Sequence, residues 1–169
     1  MTPQTINSFL AQYGLLCIFV IVLLEYMNLP GFPAGIILPA AGMWTSATKA
    51  SLLMALLVSV AAGLIGSLLL YLAGRFGGEF LVDKYIKRFP KQKASIDKTF
   101  DFIRRKGKAG IFIGKLIPMA RTIISIPAGL MRMDIKEYIL YSTLGILVWN
   151  GGFIAAGYFL GEKAFQLLD

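Results

Sequence analysis

The chain has 169 residues, 57% of them hydrophobic and 15% charged, with a net charge of +8 and a mean hydropathy of +0.71. A soluble domain of that size needs more polar surface, so the composition describes an integral membrane protein. There is no histidine, which removes imidazole bases and His metal ligands, and the single cysteine, Cys17, excludes intramolecular disulfides.

The first predicted element, residues 6–24, carries no charge over its length and is close to the ~20 residues that a spanning helix requires. No Lys or Arg precedes it and no convincing cleavage site follows, so it is expected to stay in the mature protein rather than leave as a signal peptide. Glu25 follows directly. It either marks the membrane interface or acts within the membrane, as a proton acceptor, an amine ligand or an ion-pair partner of Lys115 or Arg121.

Residues 26–48 are also uncharged, but Pro30, Pro33 and Pro39 together with three glycines make a straight helix improbable there. A bent, re-entrant segment is predicted. Residues 50–73 form a second full span, and Tyr71 near its end suits either an interface belt or a headgroup contact.

Arg75 opens a basic segment, residues 75–108, with eleven Lys or Arg against four Asp or Glu. The positive-inside rule makes it cytoplasmic. Val82, Tyr85, Ile86 and Phe89, then Ile96, Phe100 and Ile103, recur at helical spacing on either side of Pro90. They predict two short amphipathic helices, lying on anionic inner-leaflet lipids or packing under the protein's own cytoplasmic face. Nucleic acid is not the expected partner of a basic run that joins two membrane segments.

Residues 109–131 are apolar except around Lys115 and Arg121, and are interrupted by Pro118 and Pro127. A basic side chain near a bilayer centre costs roughly 2.5–3.5 kcal/mol on insertion scales. Two of them in a broken helix imply a polar cavity that handles something charged. Residues 138–160 form the third span and contain Trp149 and Asn150, whose amide needs a partner in that apolar run.

The two broken segments correspond. Pro30 and Pro39 recur as Pro118 and Pro127 at an offset of 88 residues, each second proline being followed by alanine. The Ala-Gly-x-Phe-x-Gly-Glu run that begins at Ala73 recurs from Ala156 at an offset of 83. One membrane domain, residues 1–169, is therefore read as repeat 1 (about 20–79), the cytoplasmic segment 75–108 and repeat 2 (about 109–162). With that segment inside, the repeats have opposite orientation, and hairpins 26–48 and 109–131 enter from opposite faces. The fold class is all-α: an inverted repeat with two opposed re-entrant hairpins and three full spans.

Glu25 with its Pro-Gly-rich sequel, Gly66-Ser67-x3-Tyr71-x2-Gly74-Arg75-x-Gly77, Lys115-x2-Pro118-x2-Arg121-x7-Gly129 and Gly145-x3-Trp149, in this order, resemble the DedA family, also called the SNARE-associated or VTT-domain family. The resemblance implies a multi-pass protein of the bacterial cytoplasmic membrane that moves lipids between leaflets, with polyprenyl phosphates or phospholipids as substrates and protons as a candidate driving ion. It places the membrane acid at Glu25 and the two basic positions at Lys115 and Arg121. Two departures stand out: the first basic position is usually arginine, and the acid usual just after the first hairpin's second proline is missing, since Ala34-Gly35-Ile36 stands there.

Together with the polar cavity, the resemblance implies a non-enzymatic lipid translocase without cofactor or metal. Its substrate-binding candidates are Glu25, Lys115, Arg121, Arg75, Asn150 and Tyr71, and its hinges are Pro30, Pro33, Pro39, Pro118 and Pro127. One acid with two bases suits a zwitterionic headgroup and favours phosphatidylethanolamine; two bases alone serve a polyprenyl phosphate. The rival function is a proton-coupled transporter of a small solute with Glu25 as carrier. A homo-oligomer is compatible with either.

Overall fold

The computed structural model describes residues 3–27, 34–48, 50–88, 90, 93–118 and 120–166, with side chains from Tyr13 onward except at 34–36, 79, 81–86, 88, 94–95 and 162–166. Seven helices follow in order: α1 (Pro3–Tyr26), α2 (Ala34–Thr48), α3 (Leu52–Arg88), α4 (Lys93–Lys115), α5 (Ala120–Ile123), α6 (Ser125–Leu130) and α7 (Ile135–Gln166). Leu52–Gly78 of α3 and Ile135–Gly161 of α7 are long and apolar enough to cross a membrane, and Tyr13–Tyr26 of α1 is a shorter apolar helix. Pro30 and Pro33 lie outside the described residues.

The outside of the bundle is apolar. Leu53, Leu57, Ile65 and Leu69 line one exposed face of α3, and Leu140, Leu144 and Val148 do the same on α7. Glu25, Lys115 and Arg121 are buried. Water would not tolerate so large an apolar surface, whereas a lipid surrounding requires it and drives charge inward.

Two hydrophobic clusters form the interior. Val22, Tyr26, Leu38, Ala55, Ala62, Ile146 and Ile154 join α1, α2, α3 and α7. Tyr71, Ile103, Ile111, Ile124, Ala128 and Tyr138 join α3, α4, α6 and α7. Ile96 and Ile103 of the basic segment are thus covered by the protein itself.

That segment supplies two short helices, each joined to a longer membrane helix across a glycine kink. Its first part continues α3 beyond a kink at Gly78 (φ 55°), and its second part begins α4, which kinks at Gly107 (φ 57°). Positive φ at both points suits glycine, which lacks the Cβ that would clash there. The two kinks nearly coincide with the ends of the basic run, so the change in composition is also a change in direction. Val82, Tyr85, Ile86 and Phe89 lie outside the described side chains.

Beyond Gly107 the chain runs to Lys115, turns through Leu116–Pro118 and returns as α5 and α6, with Gly114 held against Ile124. Pro118 lies in the turn. Pro127 falls in the first turn of α6, where its missing N–H costs no helical bond. Pro39, by contrast, does not break its helix: α2 continues through it to Thr48. An isolated proline in a membrane-embedded helix is tolerated when neighbouring elements support the backbone, and α7 lies along α2 here.

Two crossings of the same kind hold these parts together. A Cβ on Gly42 of α2 would strike Ile154 O and approach Tyr158 N of α7, and one on Gly157 would strike Pro39 O. A Cβ on Gly129 of α6 would strike Tyr71 O and approach Arg75 N of α3, and one on Gly74 would strike Ile126 O. On the long helices the offset is 83 in every pair, as in the sequence match. On the short ones it is 87, because Gly129 matches Gly42 and Ile126 matches Pro39. The contacts therefore pair residues one position away from the proline alignment.

Gly157→Leu is expected to lower unfolding stability in detergent by ~1–3 kcal/mol through overpacking against the α2 backbone. Gly151→Ala, whose new methyl would meet Leu56 at an ordinary 3.7 Å, should leave the melting curve in place.

Candidate functional site

α3 and α7 present polar residues at multiples of four positions in otherwise apolar helices. On α3 these are Ser59, Ser67, Tyr71 and Arg75; on α7 they are Tyr138, Ser142 and Asn150. Such spacing puts neighbours in each set on a shared face and lets each set wind slowly round its helix as a stripe. Both stripes turn toward the α4–α5–α6 hairpin and α1, and the charged residues lie where they meet.

Lys115, the last residue of α4, is fully buried. Its ammonium donates to Ser67 Oγ (2.7 Å), Arg121 O (2.8 Å) and Ser125 Oγ (3.2 Å). Three donors meet three neutral acceptors, and no carboxylate is among them. The carbonyl of Arg121 is reachable because the helix is broken between Lys115 and Ala120. Tyr138 completes this half by donating to Ser125 Oγ (2.8 Å) or Ser67 O (3.1 Å).

Arg121 is equally enclosed. Its guanidinium forms an ion pair with Glu25 at the end of α1 and donates to the Tyr26 hydroxyl (3.1 Å). Its Cζ lies 4.8 Å from the Tyr26 ring centroid and 5.1 Å from that of Trp149. Aromatic faces favour a cation at these distances. Tyr26 then donates to Asn150 Oδ1 (2.9 Å), whose Nδ2 donates to Ser59 O (3.2 Å) and lies 3.3 Å from Ser59 Oγ. Glu25, Arg121 and Asn150 thus belong to one connected network, with Lys115 attached through the Arg121 carbonyl. With Glu25 ionised, the formal charge of the cluster is +1.

Arg75 and Tyr71 stand apart. Arg75 donates to Tyr71 Oη (2.6 Å) and Met133 O (3.1 Å), and Tyr71 also donates to Met133 O. The link to Lys115 is indirect, through the Tyr71–Tyr138 ring stack with centroids 4.3 Å apart. Here the arginine fastens α3 to the turn before α7. At the same end Lys108 bonds Glu137 (3.0 Å) on the surface, which raises the Lys108 pKa above its ordinary value. Among the described residues no group of three His, Cys, Asp or Glu could hold a metal.

Sequence reasoning gave no site role to Tyr26, Ser59, Ser67 and Tyr138, whereas Ser125 was expected to line the cavity beside Arg121. The polar stripes on α3 and α7 were the available signal for three of them. Tyr26 gave none, since a tyrosine after an apolar span reads as an interface residue.

A helical membrane protein that keeps two cations and one carboxylate bonded in its interior is the class these observations define. Residues 32–159 match the VTT domain, and the chain belongs to that family, the DedA family. It is similar to undecaprenyl phosphate transporter A of Staphylococcus aureus, 31% identical over 98% of this chain and 83% of that protein. It is likewise 31% identical to undecaprenyl phosphate transporter A of Bacillus subtilis, over 78% of this chain and 66% of that one. An alkaline phosphatase-like protein of Lactococcus lactis is 26% identical over 95% of this chain and 77% of its own length. No solved structure matches.

The network predicts coupling between its members. Tyr26→Phe leaves an Arg121 N–H and the Asn150 carbonyl without their partner and should cost ~1–3 kcal/mol in an unfolding titration. Asn150→Leu made in that background should cost less than it does alone, which a double-mutant cycle measures.

Proposed function

We propose that this protein moves a polyprenyl phosphate across the bacterial cytoplasmic membrane, with Arg121 as the group that touches the phosphate. The observation that carries this reading is the buried cluster with its excess positive charge. Among the described residues the Arg121 guanidinium lies between Glu25, Tyr26 and Trp149, and its planar fork of donors suits phosphate oxygens. Lys115 uses all three of its donors within the protein. Its part is to add charge and hold the broken backbone in place.

The structure moves the substrate preference. A zwitterionic headgroup would need Glu25 free for its amine, but Glu25 is engaged by Arg121. An anionic phosphate monoester complements the net charge better, and the relatives named undecaprenyl phosphate transporter A support the same choice. The rival role, Glu25 as the carrier of a proton-coupled solute transporter, loses weight for the same reason. No covalent chemistry is needed.

Alternate exposure would come from the repeats. The paired crossings of α2 on α7 and α6 on α3 support reading one membrane domain as two inverted units, with hairpins 26–48 and 109–131 re-entrant. In each, a short helix lies on the other unit's long helix, so a rocking motion would carry both hairpins together. The basic segment 75–108 would face the cytoplasm and contact anionic inner-leaflet lipids.

The test is a leaflet-resolved assay in proteoliposomes with a fluorescent polyprenyl monophosphate. Purified protein should speed its redistribution over protein-free liposomes, and Arg121→Gln should slow it at least about tenfold, the loss of a charge-assisted hydrogen bond. If the wild type moves no lipid, the proposal is wrong. If it moves phosphatidylethanolamine equally well, the headgroup argument is wrong.

A further inference from the structure

Beside the charged cluster lies an open apolar groove of about 250 Å³, lined by Leu116, Val148, Trp149, Gly152, Phe153 and Ala156. Leu116 is the first residue of the break after Lys115. Trp149 lines the groove, and its ring also lies 5.1 Å from Arg121 Cζ. One indole thus borders both the cationic site and the hydrocarbon channel. Its Nε1–H is a buried donor without an acceptor among the described residues.

We infer that this groove seats the phosphate-proximal hydrocarbon of the translocated lipid, with Trp149 marking the boundary between head and tail. The inference rests on the function proposed above. Three observations select an amphipathic single-chain anion as occupant: the positive cluster at one end, the almost wholly apolar lining and the unsatisfied indole donor at the junction. Bulk lipid tails would need only an apolar surface, which α3 already offers along Leu53, Leu57 and Leu69. A concave groove that shares Trp149 with the Arg121 site adds position. In a bilayer the tail gains no hydrophobic free energy by leaving its neighbours, so what the groove contributes is close packing and alignment.

Glycine at position 152 keeps the channel open. A Cβ built there meets nothing within 4 Å, so a larger side chain projects into the groove without disturbing the helix packing. Gly152→Leu and Ala156→Leu fill the groove from two positions, and each can be checked by its melting temperature.

The experiment uses the full chain in lipid nanodiscs with a polyprenyl monophosphate carrying a diazirine on its first isoprene units. Wild-type adducts should concentrate on Leu116 and residues 148–156. They should fall at least about tenfold in Arg121→Gln, which removes the anchor for the phosphate, and several-fold in Gly152→Leu and Ala156→Leu. Adducts spread evenly over the exposed faces of α3 and α7, or unchanged in Arg121→Gln, overturn the groove assignment. Redistribution of the polyprenyl phosphate is measured on the same protein. Movement with even labelling defeats this inference alone, and no movement with no dependence on Arg121 defeats the proposed function as well.

Discussion

A buried ammonium whose acceptors among the described residues are all neutral constrains this structure more than any other group. Desolvating an isolated cation is costly, and hydrogen bonds to its charged form are what offset it. Lys115 obtains three such bonds only if α3 brings Ser67, α6 brings Ser125, and the chain is broken so that the Arg121 carbonyl points back. The break is therefore part of the solution. Irregular backbone is tolerated at membrane depth only where it is enclosed by protein with its polar groups satisfied, and here the charge and the exposed carbonyl satisfy each other.

Arg121 extends the constraint across the bundle. Its carbonyl serves Lys115 while its guanidinium serves Glu25 and Tyr26, so one residue joins the return of the hairpin to the end of α1. Tyr26 passes the connection to Asn150 and Ser59 on α7 and α3. Such a lattice specifies geometry better than apolar packing alone, since each member loses a partner if another moves. The glycine crossings make it possible by letting the backbones of α2 and α6 approach α7 and α3 until their carbonyls lie where side chains would otherwise stand.

Much of this was legible in the sequence. Charge placement identified Glu25, Lys115 and Arg121, because a charged residue in an apolar run has few innocent explanations, and Asn150 followed for the same reason. The two matching crossings fall at positions that proline and glycine spacing had marked. What spacing could not give was register: Pro39 and Pro127 look equivalent, yet Pro39 lies well inside α2, Pro127 stands in the first turn of α6, and it is Ile126, against Gly74, that takes the place Pro39 has against Gly157. The fate of Arg75 was also beyond reach. A basic residue at the end of a span reads equally as an anchor or a ligand, and only coordinates show it bonded to Tyr71 and the Met133 carbonyl. Ile96 and Ile103 recur at a spacing that serves lipid or protein alike, and tertiary packing decided for protein.

Lysine at position 115 follows from the same geometry. Ser67 Oγ, Ser125 Oγ and the Arg121 carbonyl come from three separate elements, an arrangement that suits the three donors of an ammonium, whereas a planar guanidinium directs its donors in a flat fork. The stem is also confined: a Cβ on Gly145 would lie against Cβ and Cγ of Lys115 and against Phe112 O, so α7 rests directly on it. Four residues along α7, Trp149 covers the guanidinium of Arg121. Gly145 and Trp149 thus divide the work on one helix face, the glycine admitting the lysine stem and the indole capping the arginine. Filling position 145 would expel the cation that holds the break, and with it the carbonyl contact on which the placement of Arg121 depends.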